Sequence, residues 1–310
     1  MNEQFQTSVL YKSRGFSGRL SESFKFLEKN FKQIFKISIL GLIPVGTLSA
    51  FTLTFMPVQS MDGILVLVWL LIMLVLSLAA SLYFHSFIYA MLEKYGELGY
   101  VPSMKFKAWW PLMKKKMGRV LLYDLFFSIF FVVCMLIVFV PYILSTASIA
   151  TSTVNVSVPL WGPLLSLLFF IIFVFVFIPL FLMPNFYLLS PESLMSSFTQ
   201  SFKLGIPHWG SMFGIALLTL ILSIIAEILG GLPFYVTELV NYLIALAAED
   251  GNMVTLPSYY VMMRVVFAFL MSVISYYASL LVLVPMAFQY ASLVTMKKEK
   301  EMAERNTQSL

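Results

Sequence analysis

Long apolar stretches alternate with short polar segments along this chain. A helix needs about 20 residues to cross the hydrocarbon core of a bilayer. Lipid offers no hydrogen-bond partner to the backbone, so each crossing segment must satisfy its own peptide groups as a helix. The pattern therefore predicts an all-α polytopic membrane protein with six transmembrane helices, at 37–56, 64–92, 119–145, 160–183, 209–230 and 259–295.

A further apolar stretch, 232–248, is harder to assign. It is short, and it contains Pro233, Glu238 and Asn241. A seventh crossing there would also place the cationic C-terminal residues on the side of the membrane opposite to the other cations. We therefore expect 232–248 to lie in the outer interface or to re-enter the membrane, and the sequence does not choose between the two.

Composition and the placement of charge support this topology. Apolar residues make up 60% of the chain and charged residues 11%, whereas a soluble domain has about 25% charged residues. Of the 20 Lys and Arg residues, all but Arg264 fall in the segments 1–36, 93–119, 184–208 and 296–310. The intervening links carry none. By the positive-inside rule the sequence predicts that both termini are cytoplasmic.

Residues 20–36 form the clearest amphipathic pattern. Apolar side chains recur there at helical spacing, and lysines occupy the opposite face. Such a helix is suited to lie on an anionic inner leaflet, where each lysine contributes about 1 kcal/mol of attraction. The predicted apolar face consists of Leu20, Phe24, Leu27, Phe31 and Ile34, and the predicted membrane-surface basic helix carries Lys25, Lys29, Lys32 and Lys36.

A second segment, 190–204, repeats this arrangement. Ser190 is a suitable N-cap, Pro191 suits the first helical position, and Gly205 suits the end of a helix. The triplet Ser201-Phe202-Lys203 matches Ser23-Phe24-Lys25. In the same register, Phe31 aligns with Trp209, Ile34 with Met212, Phe35 with Phe213 and Ile37 with Ile215.

A third, looser copy at 103–119 suggests an internal repeat, although apolar residues also match by chance. The sequence then reads as a cytoplasmic N-terminal tail (1–19), one membrane domain (20–295) and a cytoplasmic C-terminal tail (296–310). Within the membrane domain we predict three units, each an amphipathic interfacial helix, which we call the leading segment, followed by a two-span hairpin. The units cover about 20–92, 103–183 and 190–295.

Two short motifs carry a resemblance to a known family. Leu20-Ser21-Glu22-Ser23-Phe24 precedes the first span, and Pro191-Glu192-Ser193-Leu194-Met195-Ser196-Ser197-Phe198 with Ser201-Phe202-Lys203-Leu204 precedes the fifth. With the six-span layout, these resemble the membrane domain attached to bacterial glycerophosphodiester phosphodiesterases and the stand-alone six-span proteins related to it. The resemblance implies a bacterial membrane protein. It does not extend to the soluble phosphodiesterase half, so no catalytic residue carries over.

Titratable side chains inside predicted spans are the candidate functional residues, because a charged group there is costly and tends to pair. By depth in the membrane, His85 matches Asp124 near the inner face, and Glu227 matches Arg264 near the outer face. The sequence therefore predicts two intramembrane pairs, His85–Asp124 and Glu227–Arg264. Each pair either joins neighbouring helices or, for His85–Asp124, relays a proton or a substrate.

The sequence does not identify a biochemical activity. It has no glycine-rich phosphate loop, no Gly-x-Ser-x-Gly motif and only two histidines, so we expect no enzyme, no metal and no cofactor. We predict a non-enzymatic scaffold or accessory protein of the bacterial cytoplasmic membrane, with anionic lipid and a protein as partners and no nucleic acid. The alternative is a small transporter or lipid-handling permease that uses proline-kinked spans and His85–Asp124.

Overall fold

The computed structural model of the chain describes residues 9–55, 63–150, 160–249, 251 and 255–308, without the side chains of 147–150. Six segments of the described chain are long and apolar enough to cross a membrane, and each overlaps one predicted span. The prediction of an all-α polytopic membrane protein is therefore confirmed. The helices are α1 (Phe16–Phe55), α2 (Gly63–Leu98), α3 (Phe106–Ala150), α4 (Trp161–Leu180), α5 (Met183–Leu189), α6 (Leu194–Gly205), α7 (Trp209–Glu249) and α8 (Tyr260–Gln308), with a 3-10 turn at Ile206–His208.

Several helices are longer than a bilayer requires. At 1.5 Å per residue, the 49 residues of α8 extend about 73 Å, more than twice the hydrocarbon thickness of about 30 Å. In consequence, most of the predicted C-terminal tail, 296–308, is a continuation of α8. The leading segment 20–36 is likewise continuous with the first span in α1, so a separate interfacial helix at 20–36 was a wrong prediction. Only α6 ends before its span, at Gly205.

The stretch 232–248 is neither a separate interfacial segment nor a re-entrant loop. It continues the fifth span without a break, and Pro233 lies inside α7. Helix α7 then runs to Glu249 before the chain turns back into α8 at Tyr260. The third predicted hairpin is thus longer than the other two, which explains an apolar stretch that did not fit a regular six-span count.

The chain divides into two compact units: unit 1 contains Met1–Met117 and Ile215–Leu310, and unit 2 contains Gly118–Gly214. In unit 1, α1 packs against both α2 and α8. We call the part of unit 1 that holds 9–36, 84–117 and 284–308 its basic end, and the part that holds Thr54 and 231–264 its far end. In unit 2, α6 packs against α4 and α5.

The second helix of each predicted hairpin ends in a block that is buried on nearly all sides. These blocks are 84–92 in α2, 178–188 across α4 and α5, and 284–293 in α8. Each contains one buried tyrosine, namely Tyr89, Tyr187 and Tyr290. By contrast, no residue of 63–79 or 163–177 is buried, as expected for apolar helix surface that faces lipid.

Two pairs of residues that align in the predicted repeat have similar local surroundings. The predicted equivalents Phe31–Phe35 and Trp209–Phe213 are both stacked ring pairs, with centroids 6.3 Å and 5.0 Å apart. Ser23 and Ser201 are both fully buried, and each hydroxyl donates to the carbonyl three residues earlier at 2.7 Å.

Each leading segment also packs on the end of another predicted hairpin. The second and third segments pack on the hairpin before them in the chain, and the first packs on the last hairpin. The first contacts α8, the second contacts α2 through the Trp109 and Phe87 rings, and the third contacts α4 and α5.

Candidate functional site

The predicted basic helix is present in α1, with its lysines exposed. Lys25, Lys29, Lys32 and Lys36 all point away from the core. The opposite face packs on protein, where Leu20, Leu27 and Ile34 are buried as predicted. Phe26 is buried in place of Phe24, and Phe31 remains half exposed. The buried face is therefore rotated relative to the predicted face, because α8 and α2 rather than a flat lipid surface cover it.

A polar network fixes the start of α1 to α8. Arg19 is 5% exposed, and its guanidinium donates to the Gln289 side-chain oxygen at 2.6 Å and to the Arg14 carbonyl at 2.8 Å. The Ser292 hydroxyl accepts from the Arg14 backbone N–H at 3.0 Å and from Arg19 Nε at 3.2 Å. Buried charge is tolerated when its donors are satisfied in this way. The sequence analysis had placed both arginines in a tail; the signal it missed was the polar pair Gln289 and Ser292 in an apolar helix.

A buried ion pair joins α2 to α3 at the same end of unit 1. Lys116 Nζ lies 3.3 Å from a Glu93 carboxylate oxygen, and the Lys116 side chain is only 6% exposed. Nearby, the Tyr11 ring packs edge-on against Tyr290, with centroids 6.4 Å apart. Burial, Tyr290 and Glu93 all raise the pKa of Tyr11, so this hydroxyl stays neutral. Together these contacts make the basic end of unit 1 an ordered polar surface.

At the far end of unit 1, Arg264 pairs with a different carboxylate from the one predicted. Arg264 Nε donates to Glu238 Oε1 at 2.8 Å, and Nη2 donates to Oε2 at 3.2 Å. A third bond runs from Nη1 to the Thr54 carbonyl at 3.3 Å, which ties α1 to the α7–α8 hairpin. The predicted Glu227–Arg264 pair is therefore wrong, although the prediction that Arg264 pairs with a carboxylate on the preceding helix is correct.

The register of the antiparallel α7–α8 hairpin explains this result. Ser223 donates to the Ala278 carbonyl, and a Cβ on Gly231 would meet Met271. At that register Arg264 lies opposite Glu238, and the position opposite Glu227 is near Ser275. The error followed from ending the fifth span at residue 230, which placed Glu238 outside the hairpin.

The two residues of the other predicted pair, His85 and Asp124, belong to different units. His85 belongs to unit 1, where its Nδ1 lies 2.9 Å from the Ser81 hydroxyl. Asp124 belongs to unit 2. Both side chains are half-buried. The His85–Asp124 pair stays a prediction.

In unit 2, one arginine fixes the segment between α5 and α6. Arg119 donates to the carbonyls of Ser190, at 2.9 Å, and Glu192. Its guanidinium also lies 4.3 Å from the centre of the Tyr187 ring, a cation–π geometry. The N-cap of α6 is Ser193, which accepts from the Ser196 N–H at 3.3 Å. The predicted N-cap, Ser190, instead ends α5, and its hydroxyl donates back to Phe186.

Comparison of this chain with family models, with curated proteins and with solved structures gives no match. The functional argument therefore depends on the geometry of the two units alone.

Proposed function

We propose that this chain is a non-enzymatic accessory or scaffold protein of a bacterial cytoplasmic membrane, which binds anionic lipid and a protein partner at the cytoplasmic face. The observation that carries the proposal is the asymmetry of unit 1. Its basic end holds close-packed helix ends, a buried arginine network and a row of exposed lysines. The apolar segment 63–79 has no buried residue.

This asymmetry matters because function needs ordered polar groups. A surface that only anchors a protein in lipid requires little more than apolar area. The basic end instead holds Lys25, Lys29, Lys32 and Lys36 on a helix that cannot move freely, since its other face packs on α8 and α2. Four rigidly presented cations favour binding of anionic lipid, at about 1 kcal/mol each near such a surface.

The proposed orientation has a direct test. A protease-cleavable tag fused after Leu310 should resist protease added to intact cells and should be cut in inverted membrane vesicles, because the positive-inside rule predicts that the lysines at the end of α8 stay on the cytoplasmic side. Cleavage of the tag on intact cells would refute the topology and, with it, the proposed lipid surface.

The partner is tested by purification of the full chain in mild detergent, followed by mass spectrometry of the bound lipid and protein. Replacing Lys25, Lys29 and Lys32 with glutamine should remove the bound anionic lipid. The matched control replaces Lys297, Lys298 and Lys300, three lysines on the C-terminal part of α8. Equal retention by both triple variants and the parent would contradict the proposal.

A further inference from the structure

A polar cleft lies between α1 and the end of α2. Its volume is about 230 Å³. The cleft is lined by side chains that can donate hydrogen bonds, namely Lys25, Lys29, Asn30, Tyr95 and Tyr100, with Glu22 at its edge. All of these residues belong to the basic end of unit 1.

Two aromatic residues that line the cleft, Phe26 and Tyr95, are closely packed against their neighbours. The Phe26 and Tyr95 rings meet edge-to-face, with centroids 5.0 Å apart, and both pack on Phe288 of α8. The Asn30 side-chain amide donates to the Phe26 carbonyl at 2.7 Å, which fixes its orientation. Gly99, which follows α2 and lines the cleft, has φ +78°, a left-handed conformation that favours glycine.

The charges around the cleft are unbalanced. Two lysines, Lys25 and Lys29, and one carboxylate, Glu22, line the cleft. Lys25 forms an ion pair with Glu22, with Nζ 2.9 Å from Oε1. Within the part of the chain that the structure describes, Lys29 has no hydrogen-bond acceptor. The cleft therefore combines an excess of positive charge with an available ammonium group and tyrosines, a donor set that suits a compact oxyanion.

The level of the cleft in the membrane favours phosphate. Lys29 precedes the predicted start of the first span, Ile37, by eight residues, or about 12 Å along the helix. The headgroup layer adds about 5–8 Å to each side of the hydrocarbon core. The Lys29 side chain is long enough to carry its ammonium group from its backbone position to the phosphates of that layer.

Building on the proposed lipid-binding function, we propose that this cleft is a specific site for a phosphate-bearing group. The shared chemistry is a phosphate ester, supplied either by the headgroup of an anionic lipid or by a soluble phosphate compound. Lys29 and Lys25 hold its oxygens, Tyr95 and Tyr100 donate hydrogen bonds, and Glu22 sets the affinity because it competes for the same lysines.

The test compares three single variants of the full chain in mild detergent. Phosphatidylglycerol is titrated into each sample, and bound lipid is measured by native mass spectrometry. Lys29→Gln should weaken binding about tenfold, whereas the control Lys300→Gln, an exposed lysine of α8 outside the cleft and outside the proposed lipid surface of α1, should change it less than about twofold. Glu22→Gln should tighten binding, an effect that a merely destabilised protein would not show. Unchanged melting temperatures without lipid establish that all three variants are folded.

A second arm identifies the source of the phosphate. If inorganic phosphate or glycerol 3-phosphate raises the melting temperature without lipid and displaces phosphatidylglycerol, the site takes a soluble phosphate compound. If neither does so, the site takes a lipid headgroup. Equal losses in Lys29→Gln and Lys300→Gln would overturn the specific site but leave the proposed lipid surface intact. No loss in the Lys25, Lys29 and Lys32 triple variant would overturn the proposed lipid surface as well.

Discussion

The Arg264–Glu238 pair gives the sharpest test of how the far end of unit 1 is held together. Its two parallel bonds, at 2.8 Å and 3.2 Å, have the bidentate geometry that makes arginine–carboxylate contacts strong. The side chains remain 24% and 38% exposed, respectively, so solvent screens part of the attraction. Coupling between helices in membranes averages about 0.6 kcal/mol and reaches about 1.7 kcal/mol. We therefore expect a coupling energy of about 1–1.5 kcal/mol.

A double-mutant cycle measures this coupling. The variants are Arg264→Met, which keeps an apolar stem, Glu238→Gln, and the two combined, each unfolded by a titration with dodecyl sulfate in mixed micelles and followed by circular dichroism. The control cycle combines Arg264→Met with Glu227→Gln and should give a coupling near zero, because Glu227 lies about three turns away along α7. A larger coupling in the Glu227 cycle than in the Glu238 cycle would refute the register of the hairpin.

Three further predictions concern other contacts. Gly41→Ala should destabilise the protein by about 1–3 kcal/mol in the same unfolding assay, because a Cβ at this position would clash with the Tyr83 ring. The control Gly118→Ala, at a position in open space, should be neutral or stabilising by up to about 1 kcal/mol. Equal effects of the two substitutions would contradict the close approach of α1 to α2. Arg119→Lys should speed proteolysis between α5 and α6, because lysine cannot bridge two carbonyls and a ring as guanidinium does, and an unchanged cleavage rate would refute the clamp. Asp124→Asn should leave the permeability of proteoliposomes unchanged; a loss of proton-coupled flux in this variant would favour the transporter alternative.

Much of the architecture could be predicted because lipid leaves a chain few choices. The number of spans, their positions and the existence of a basic amphipathic segment at 20–36 all follow from apolar length and helical periodicity. The internal repeat stays a prediction, and its aligned residues Ser23 and Ser201 are both buried with the same local hydrogen bond. Such features are local along the chain, and a sequence records local preferences directly.

The errors share one physical cause, which is that helix length and helix register depend on what a helix packs against. Nothing in 20–36 alone indicates that α1 continues unbroken with Leu27 and Ile34 covered by protein. Similarly, nothing near Arg264 distinguishes Glu227 from Glu238 until the register of the hairpin is known. The sequence gives the depth of a residue in the membrane. Whether two side chains at similar depth meet also depends on how their helices are arranged within the membrane plane.

By itself, then, the sequence determined a six-span helical membrane protein with its cations gathered in four segments, because hydrophobic length and charge act along the chain. The tertiary structure alone decided which polar groups meet. It brought Arg19 to Gln289, Arg264 to Glu238, and Lys29 to the cleft beside Tyr95. Contacts between residues far apart in sequence depend on shape and register, which no single segment encodes.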